Sequence, residues 1–183
     1  MITGDRSRDA ARGILAEALP RRWAHVQGVA QKAERVAACL ALSDGALVAA
    51  AWLHDVGYAP DIAGTGFHPL DGARYLAGLG TDERVVNLVA RHSFAILEAE
   101  FRGLGPRLAA FPDERGVSRD ALWYCDLTTS PNGEPVSARE RMAEIKQRYG
   151  PGDIVTRFIT EGSSELLAAV ERTERRLAGE QAS

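Results

Sequence analysis

Apolar residues recur at helical spacing through most of the chain. In residues 22–42 they fall on one side of a 3.6-residue repeat, which predicts an amphipathic helix with one face packed on a core. Strong helix formers such as alanine, leucine, glutamate and arginine predominate, and no stretch alternates for long enough to indicate a strand. The pattern therefore predicts an all-α fold. The apolar positions of this helix are Val26, Val29, Ala30, Ala33, Val36, Ala37 and Leu40.

The run Ala46–Leu53 differs from the other segments because all eight of its residues are apolar. A helix that is apolar on every side is buried, so we expect this one to lie at the centre of the bundle. It is predicted to begin at Ser43 or Asp44 and to end at Gly57. Residues 58–67 follow it, and their glycines and proline are typical of a loop.

Capping residues, glycines and prolines predict the ends of the remaining helices. Ser7 is predicted to cap the first helix, Pro20 to stop it, and Thr81 to cap a short helix in the middle of the chain. Ser137 and Glu140 have the spacing of a capping box. The predicted helices cover 7–19, 69–79, 81–91, about 119–127, 137–149 and, as one or two helices, 153–177, with a polar tail after them; 102–118 and 130–136 are predicted loops, the former with helical fragments.

Length, charge and cysteine content narrow the class of protein. A chain of 183 residues is expected to form a single domain, and a net charge of −3 gives no indication of a nucleic-acid partner. The two cysteines, Cys39 and Cys125, are far apart and outside any CxxC pair, so neither a disulfide scaffold nor a thiolate zinc cluster is expected. The sequence shows no targeting segment and no apolar run near the roughly 20 residues of a membrane helix, so we expect a cytoplasmic protein without a membrane partner.

The four histidines of the chain all lie at or near the ends of predicted helices. His54 and Asp55 end the most apolar helix, where burial of an ionisable pair costs several kcal/mol unless a charge or a metal ion compensates it. Asp126 presents the same problem, because it stands in the apolar stretch ALWYCDLTT. A divalent cation is a suitable partner for such buried carboxylates.

The order of these residues along the chain resembles the HD superfamily of metal-dependent phosphohydrolases. The motif of that family is a histidine, a later His-Asp pair and a distant aspartate, which here are His25, His54-Asp55 and Asp126. Further segments resemble the HP-x-x-GA and H-[HST] motifs of six-ligand, two-metal HD branches, such as the diadenosine-tetraphosphate hydrolase-like branch. These segments are His68-Pro69 with Gly72-Ala73 and Arg91-His92-Ser93, and Arg22 adds an RxxH pattern before His25.

The resemblance implies an HD-type helical bundle, with a core over about residues 10–150 and the helices of 153–177 packed on it. It also implies one or two divalent transition-metal ions, and imidazole and carboxylate ligands suit Mn, Fe, Co, Zn or Ni better than Mg. The implied ligands are His25, His54, Asp55 and Asp126 for the first ion, and His68 and His92 for the second, with Asp55 bridging. The implied catalytic residues are His54, Asp55, His92 and Arg22.

Positive and hydrogen-bonding side chains near these motifs are expected to contact a phosphorylated substrate, since arginine binds phosphate through bidentate donors. One position departs from the family pattern, because many HD proteins have a lysine where this chain has Tyr58. Tyrosine keeps a hydrogen-bond donor but lacks the positive charge, which leaves room for a different substrate. Cys125 and the three tryptophans are expected to pack in the core. The candidate substrate residues are Arg22, Tyr58, Arg91, Thr128, Arg139 and Arg141.

Three functions are compatible with this pattern. The leading hypothesis is a metal-dependent phosphohydrolase that uses a metal-activated water to cleave a phosphate ester or anhydride of a nucleotide or small phosphometabolite. The second is a dinuclear iron oxygenase, since a small HD branch shares the six-ligand pattern. The third is a non-catalytic nucleotide-binding HD module, although a complete ligand set argues against it. The helices before Arg22 and after Asp153 are expected either to cover the bundle or to form a homodimer face.

Overall fold

The structure, a computed structural model, describes residues 4–179, and this range contains ten α-helices and no β-strand. The all-α fold predicted from the helical periodicity is confirmed. No helix in this range is long and apolar enough to cross a membrane. The helices are α1 (Gly4–Leu15), α2 (Pro20–Cys39), α3 (Ala46–Leu53), α4 (His68–Gly78), α5 (Glu83–Arg91), α6 (Ala95–Phe101), α7 (Gly105–Leu108), α8 (Val117–Leu127), α9 (Ala138–Tyr149) and α10 (Ile154–Leu177), with one-turn 3₁₀ helices at Val56–Tyr58 and His92–Phe94.

Helix α3 lies at the centre of the bundle, as its all-apolar sequence predicts. It packs against α1, α2, α5 and α8, and all of its residues except Val48 are buried. The apolar face predicted for α2 is likewise buried, with only Leu40 half-buried. Because α3 is enclosed on all sides, the residues at its C-terminal end enter the interior of the protein rather than solvent.

The ends of several helices differ from the sequence prediction. Ser7 lies inside α1 and is buried, so it does not cap that helix. Asp82 rather than Thr81 caps α5, since its carboxylate accepts from the backbone N–H of Arg84 at 3.0 Å. Pro20 begins α2. Its missing N–H costs nothing there, because the N–H groups of a first helical turn have no acceptor within the helix. The capping box of α9 forms as predicted, and 153–177 is one helix from Ile154 onward; the predicted tail after it lies largely outside the described residues.

A cluster of opposite charges fastens α10 to α8. The carboxylate of Asp120 accepts two hydrogen bonds from Arg172, at 2.9 and 3.0 Å, and one from Arg176 at 2.9 Å. Arg119 lies 3.2 Å from the same carboxylate and 2.9 Å from Asp113. We call these five side chains the Asp120 cluster. It holds α10 against the first turns of α8, and Asp126 lies toward the other end of the same helix.

Candidate metal centre

Six side chains from five segments converge in the interior of the bundle. Each comes from a helix or from the end of one, so the packing of the helices fixes where the side chains meet. We call this set the His–Asp cluster. Its members are His25 from α2, His54 and Asp55 after α3, His68 at the start of α4, His92 after α5 and Asp126 from α8.

The cluster divides into two groups of three, and the ligand atoms within each group lie within 4.8 Å of one another. The first group is His25, His54 and Asp126, in which His25 Nε2 lies 3.0 Å from Asp126 Oδ1. His54 Nε2 lies 4.0 Å from the same oxygen. Each group therefore has the dimensions of a single metal-ion site.

The second group is Asp55, His68 and His92, and Asp55 also faces the first group. Asp55 Oδ1 lies 3.4 Å from His68 Nε2, which in turn lies 3.0 Å from His92 Nε2. Asp55 Oδ2 lies 3.4 Å from His54 Nε2 and 3.9 Å from His25 Nε2. One carboxylate thus presents one oxygen to each group.

Backbone carbonyls orient three of the four imidazole rings. The Nδ1 atoms of His25, His54 and His92 lie 3.0, 2.8 and 2.6 Å from the carbonyl oxygens of Ser130, Ala51 and Val89 respectively. A carbonyl only accepts, so the hydrogen of each neutral ring lies on Nδ1 and the lone pair of Nε2 points into the cluster. A backbone carbonyl at the ring nitrogen that faces away from the cluster is typical of metal-ligating histidines.

The donor atoms of the cluster fit a metal ion. His54 Nε2 is buried without a hydrogen-bond partner, although a buried polar atom normally has one. His25 Nε2 and Asp126 Oδ1 approach to 3.0 Å as two acceptors, and such an approach requires a proton or a metal ion between them. Nitrogen and carboxylate donors in this number suit a divalent transition metal.

A family model for the HD domain matches residues 22–144 of the chain. The chain belongs to the HD-domain family. The matched segment contains all six members of the His–Asp cluster, so the resemblance inferred from the motifs is confirmed at the level of the family. HD domains bind divalent metals, and many are metal-dependent phosphohydrolases. No curated protein and no solved structure matches the chain, and the diadenosine-tetraphosphate hydrolase-like branch stays a prediction.

Burial and nearby charges favour the protonation states in which the side chains of the His–Asp cluster bind metal ions. Burial raises the pKa of Asp55, but Arg22 and the surrounding histidines outweigh it, so the pKa lies well below its usual value. Burial also raises the pKa of Asp126, but the close contact with His25 and the nearby His54 and His92 outweigh it, so this pKa is lowered too. Burial lowers the pKa of both His68 and His92. Ionised carboxylates and neutral imidazoles are the forms that bind metal ions.

A strained turn after α5 contributes to the His–Asp cluster. Ser93 and Phe94 both have positive φ, at 47° and 57°, a conformation that is uncommon outside glycine. This turn lets His92 contribute its imidazole while the hydroxyl of Ser93 donates to Asp126 Oδ2. Backbone strain of this kind concentrates at functional sites.

Close backbone approaches position two of the ligands. A Cβ atom on Gly57 would lie 2.1 Å from the carbonyl oxygen of His68, so only glycine lets the turn after Asp55 contact the start of α4. A Cβ atom on Gly28 would lie 2.2 Å from the carbonyl oxygen of Gly133. The second approach seats the loop whose Ser130 carbonyl orients His25.

Arg22 and Tyr58 lie beside the second group. Arg22 Nη1 donates to Asp55 Oδ2 at 2.9 Å, and its guanidinium lies 4.0 Å from the centroid of the Tyr58 ring. The same ring stacks on His68, with centroids 3.9 Å apart and planes 16° apart. A ring has two faces and both contacts are close, so Arg22 and His68 lie on opposite faces of Tyr58.

A cavity of about 240 Å³ adjoins the cluster. Of the predicted substrate residues, Arg22, Tyr58 and Arg141 line it. Arg141 is buried and pairs with Glu144. The structure therefore brings half of the predicted substrate residues to one space beside the candidate metal site.

The other three predicted substrate residues do not line this cavity. Arg91 donates from Nε to the carbonyl oxygen of Phe111 at 2.6 Å. Thr128 bonds the carbonyl oxygen of Tyr124 and accepts from Lys32 Nζ, at 2.6 and 2.7 Å. Arg139 is exposed on α9, because residues two apart on a helix point to nearly opposite sides and Arg141 takes the cavity side.

Several cavity residues lie outside the motifs that predicted the site. Glu98 of α6 and Arg102, which directly follows that helix, pair at 2.7 Å and lie in a segment without a recognisable motif. Arg148 and a set of apolar residues come from α9 and α10. The amphipathic pattern of α10 predicted a buried face but not that part of this face would adjoin the HD site. The apolar residues are Ile145, Val155, Phe158, Ile159 and Leu166.

Proposed function

We propose that this HD protein is a metal-dependent phosphohydrolase that cleaves a phosphate ester or anhydride of a nucleotide or small phosphometabolite. The observation that supports the proposal is the convergence of six buried or half-buried donors in two groups, with Asp55 facing both. Two ions roughly 3.5–4 Å apart can clamp the attacking and leaving oxygens of a phosphoryl displacement.

His25, His54, Asp126 and Oδ2 of Asp55 would hold the first ion, and His68, His92 and Oδ1 of Asp55 the second. A bound divalent ion would supply Lewis acidity and lower the pKa of a water, so that no serine or cysteine nucleophile is needed. Cys125 fits this view, because burial raises the pKa of its thiol to about 12 and leaves it unreactive at neutral pH.

The residues around the cluster have supporting roles. Arg22 holds Asp55 in its ionised form and lines the cavity, where its guanidinium can also donate to a phosphate oxygen. Ser93 fixes Asp126 through its hydroxyl. The carbonyls that accept from the Nδ1 atoms prevent three of the rings from turning away.

The test is phosphate release by metal-free protein reloaded separately with Mn²⁺, Co²⁺, Fe²⁺ and Zn²⁺, on a panel of nucleotides and simple phosphoesters. We expect metal-dependent release from at least one substrate. Asp55→Asn should abolish it, whereas Asp61→Asn, which changes an exposed aspartate, should leave it intact. No release with any reloaded metal would contradict the proposal, and oxygen consumption by the iron-loaded sample would instead indicate the oxygenase.

A further inference from the structure

The cavity beside the His–Asp cluster is lined by two unlike sets of side chains. One set is Asp55, His68, His92 and Asp126 of the His–Asp cluster. The other is an apolar part of the wall, formed by residues of α9 and α10 that pack in one hydrophobic cluster. We call this wall the apolar wall; its members are Ile145, Val155, Phe158, Ile159 and Leu166. A molecule that fills the cavity therefore meets both the polar side chains of the His–Asp cluster and an apolar surface.

The positive charges around the cavity are already paired with carboxylates. Arg102 lies 2.7 Å from Glu98. Arg141 pairs with Glu144, and Arg148 lies 3.5 Å from the same carboxylate. Arg22, the fourth arginine of the lining, pairs with Asp55 at 2.9 Å, so four arginines with three carboxylate partners leave a surplus of one positive charge. It provides little compensation for a second or third phosphate away from the metal site.

The volume of the cavity also limits the ligand. At about 240 Å³ it is slightly smaller than the roughly 300–1,000 Å³ of typical small-molecule sites. A small ligand with one charged group and an apolar remainder fits the volume of the cavity, can contact the apolar wall and needs few unpaired arginines.

We propose that the substrate is a small phosphate monoester whose single phosphate group binds at the His–Asp cluster and whose organic part is apolar, aromatic or aliphatic, and contacts the apolar wall. The proposal rests on the proposed function and narrows it. The apolar wall begins at Ile145, directly after residue 144 where the HD match ends. Selection of the organic part is thus assigned to α10 and the last turn of α9.

The first test measures binding without turnover, by titrating metal-loaded protein with phenylphosphonate and methylphosphonate, whose P–C bonds are not hydrolysed by phosphoester chemistry. We expect phenylphosphonate to bind about tenfold more tightly, since burial of a few apolar carbons is worth 1–3 kcal/mol, roughly 10–200-fold. Equal binding of the two phosphonates would overturn the proposal.

A pair of matched variants assigns the preference to the wall. Ile145→Asn places a polar side chain on the wall at a half-buried position, and the preference for phenylphosphonate should fall to near unity. Leu79→Asn makes the same kind of change at a leucine that is 64% exposed and lies elsewhere, so the preference should persist. Circular dichroism checks that both variants fold. A preference unchanged in Ile145→Asn would overturn the assignment to the wall.

Hydrolysis rates separate this inference from the proposed function. Phenyl phosphate should be cleaved with a higher kcat/KM than glycerol phosphate or a nucleoside triphosphate. If glycerol phosphate or the triphosphate is preferred, the protein is still a phosphohydrolase and only the inference about the organic part fails. If neither an ester nor the triphosphate is cleaved, the proposed function itself fails.

A second inference comes from the one histidine that lacks a backbone partner. Among the described residues, no hydrogen-bond acceptor lies at Nδ1 of His68, whereas the other three rings each have a carbonyl there. His68 instead stacks on Tyr58, whose other face is covered by Arg22. The ring of Tyr58 therefore contacts His68, whereas a backbone hydrogen bond orients each of the other three histidines.

We infer that Tyr58 is a positioning residue, and that its ring rather than its hydroxyl holds His68 in place for the second metal ion. The inference rests on the two-ion site of the proposed function. Tyr58→Leu removes the stack and should weaken binding of the second ion by about 10–100-fold, as the loss of a residue that orients a metal ligand does. Tyr58→Phe keeps the ring and should bind both ions like the unmodified chain.

The readout is calorimetric titration of metal-free protein with Co²⁺, together with the visible absorption of the bound ion. We expect the second binding step to weaken in Tyr58→Leu and the first to persist. Unweakened second-site binding in Tyr58→Leu would overturn the inference, as would equal loss in Tyr58→Phe. A protein that binds no ion in any form would instead refute the proposed metal site.

Discussion

Two buried charge clusters lie along α8, and they differ in how their charges are satisfied. In the Asp120 cluster, both carboxylate oxygens accept from arginines, so donors face acceptors, although Nε of Arg119 is buried without a partner. In the His–Asp cluster, imidazole lone pairs and carboxylate oxygens face one another, and His54 Nε2 has no partner. Arg22 provides a matched donor to one carboxylate only.

The difference separates a structural role from a functional one. A matched cluster stabilises the fold by itself, whereas a cluster of acceptors is complete only when a cation enters it. Burial alone does not distinguish them, since Asp120 and Asp55 are both buried. The orientation of the hydrogen-bond donors and acceptors does distinguish the two clusters.

The largest expected effect is on activity, from a change in the His–Asp cluster. Asp55→Asn removes the carboxylate that faces both groups, and we expect the phosphohydrolase rate to fall by at least about 10³-fold, as for other members of a catalytic unit. The metal-free variant should lose less stability than Asp120→Asn does, because the loss of the Arg22 pair is partly offset by removal of a buried negative charge. The measurements are steady-state kinetics and thermal unfolding, and retained activity would contradict the site.

The next effect is on stability, from the equivalent change in the other cluster. Asp120→Asn leaves buried Arg119 and half-buried Arg172 and Arg176 without their carboxylate, and we expect a loss of about 2 kcal/mol and a drop in Tm of about 6 °C. Activity per folded molecule should persist at temperatures where the variant is folded. Denaturant unfolding followed by an assay of the folded fraction checks this. A stable but inactive variant would reverse the assigned roles.

A smaller effect is expected from the loop that orients His25. Gly28→Ala would force Gly133 away from α2, since its Cβ would lie 2.2 Å from the Gly133 carbonyl oxygen. The loop would carry the Ser130 carbonyl off His25, and we expect metal affinity to fall by about 10–100-fold. Gly13→Ala is the matched control, because its Cβ would meet nothing within 4 Å. Calorimetric titration with Co²⁺ distinguishes the two, and equal affinities would contradict this role of the loop.

The smallest effect concerns acid stability. Burial raises the pKa of Asp120, but the hydrogen bonds from Arg172, Arg176 and Arg119 outweigh it, so the pKa is lowered in the folded state. A carboxyl with a lowered folded pKa contributes stability above its unfolded pKa of about 3.9, and this contribution is lost as pH falls through the folded value. The unmodified chain should therefore lose more stability below about pH 4 than Asp120→Asn does. Parallel pH dependences would contradict this.

The sequence predicted the parts that depend on local pattern. The all-α fold, the buried α3 and the apolar face of α2 follow from periodicity, and the family from the order of histidines and aspartates. Helix starts such as those of α1 and α5 were misplaced, because Ser7 and Thr81 are good capping residues in isolation and the neighbouring chain decides which residue caps.

What could not be predicted depends on contacts distant along the chain. The apolar stretch around Asp126 marked it as a candidate ligand, but nothing in the sequence around Asp120 predicts its partners, and only the packing of α10 shows that it meets Arg172 and Arg176. The cavity residues beyond the HD match were missed for the same reason. Arg139 and Arg141 are chemically identical, and the rotation of α9 places only Arg141 at the cavity.

The most direct test of the difference between the clusters is metal content. Protein should be purified without chelator, reloaded with Co²⁺ or Mn²⁺, desalted and analysed by inductively coupled plasma mass spectrometry, alongside Asp55→Asn and Asp120→Asn. The unmodified chain and Asp120→Asn should each retain two ions per chain, and Asp55→Asn should retain fewer. Absence of metal from the unmodified chain, or equal metal in Asp55→Asn, would contradict the assignment of the His–Asp cluster as a metal site.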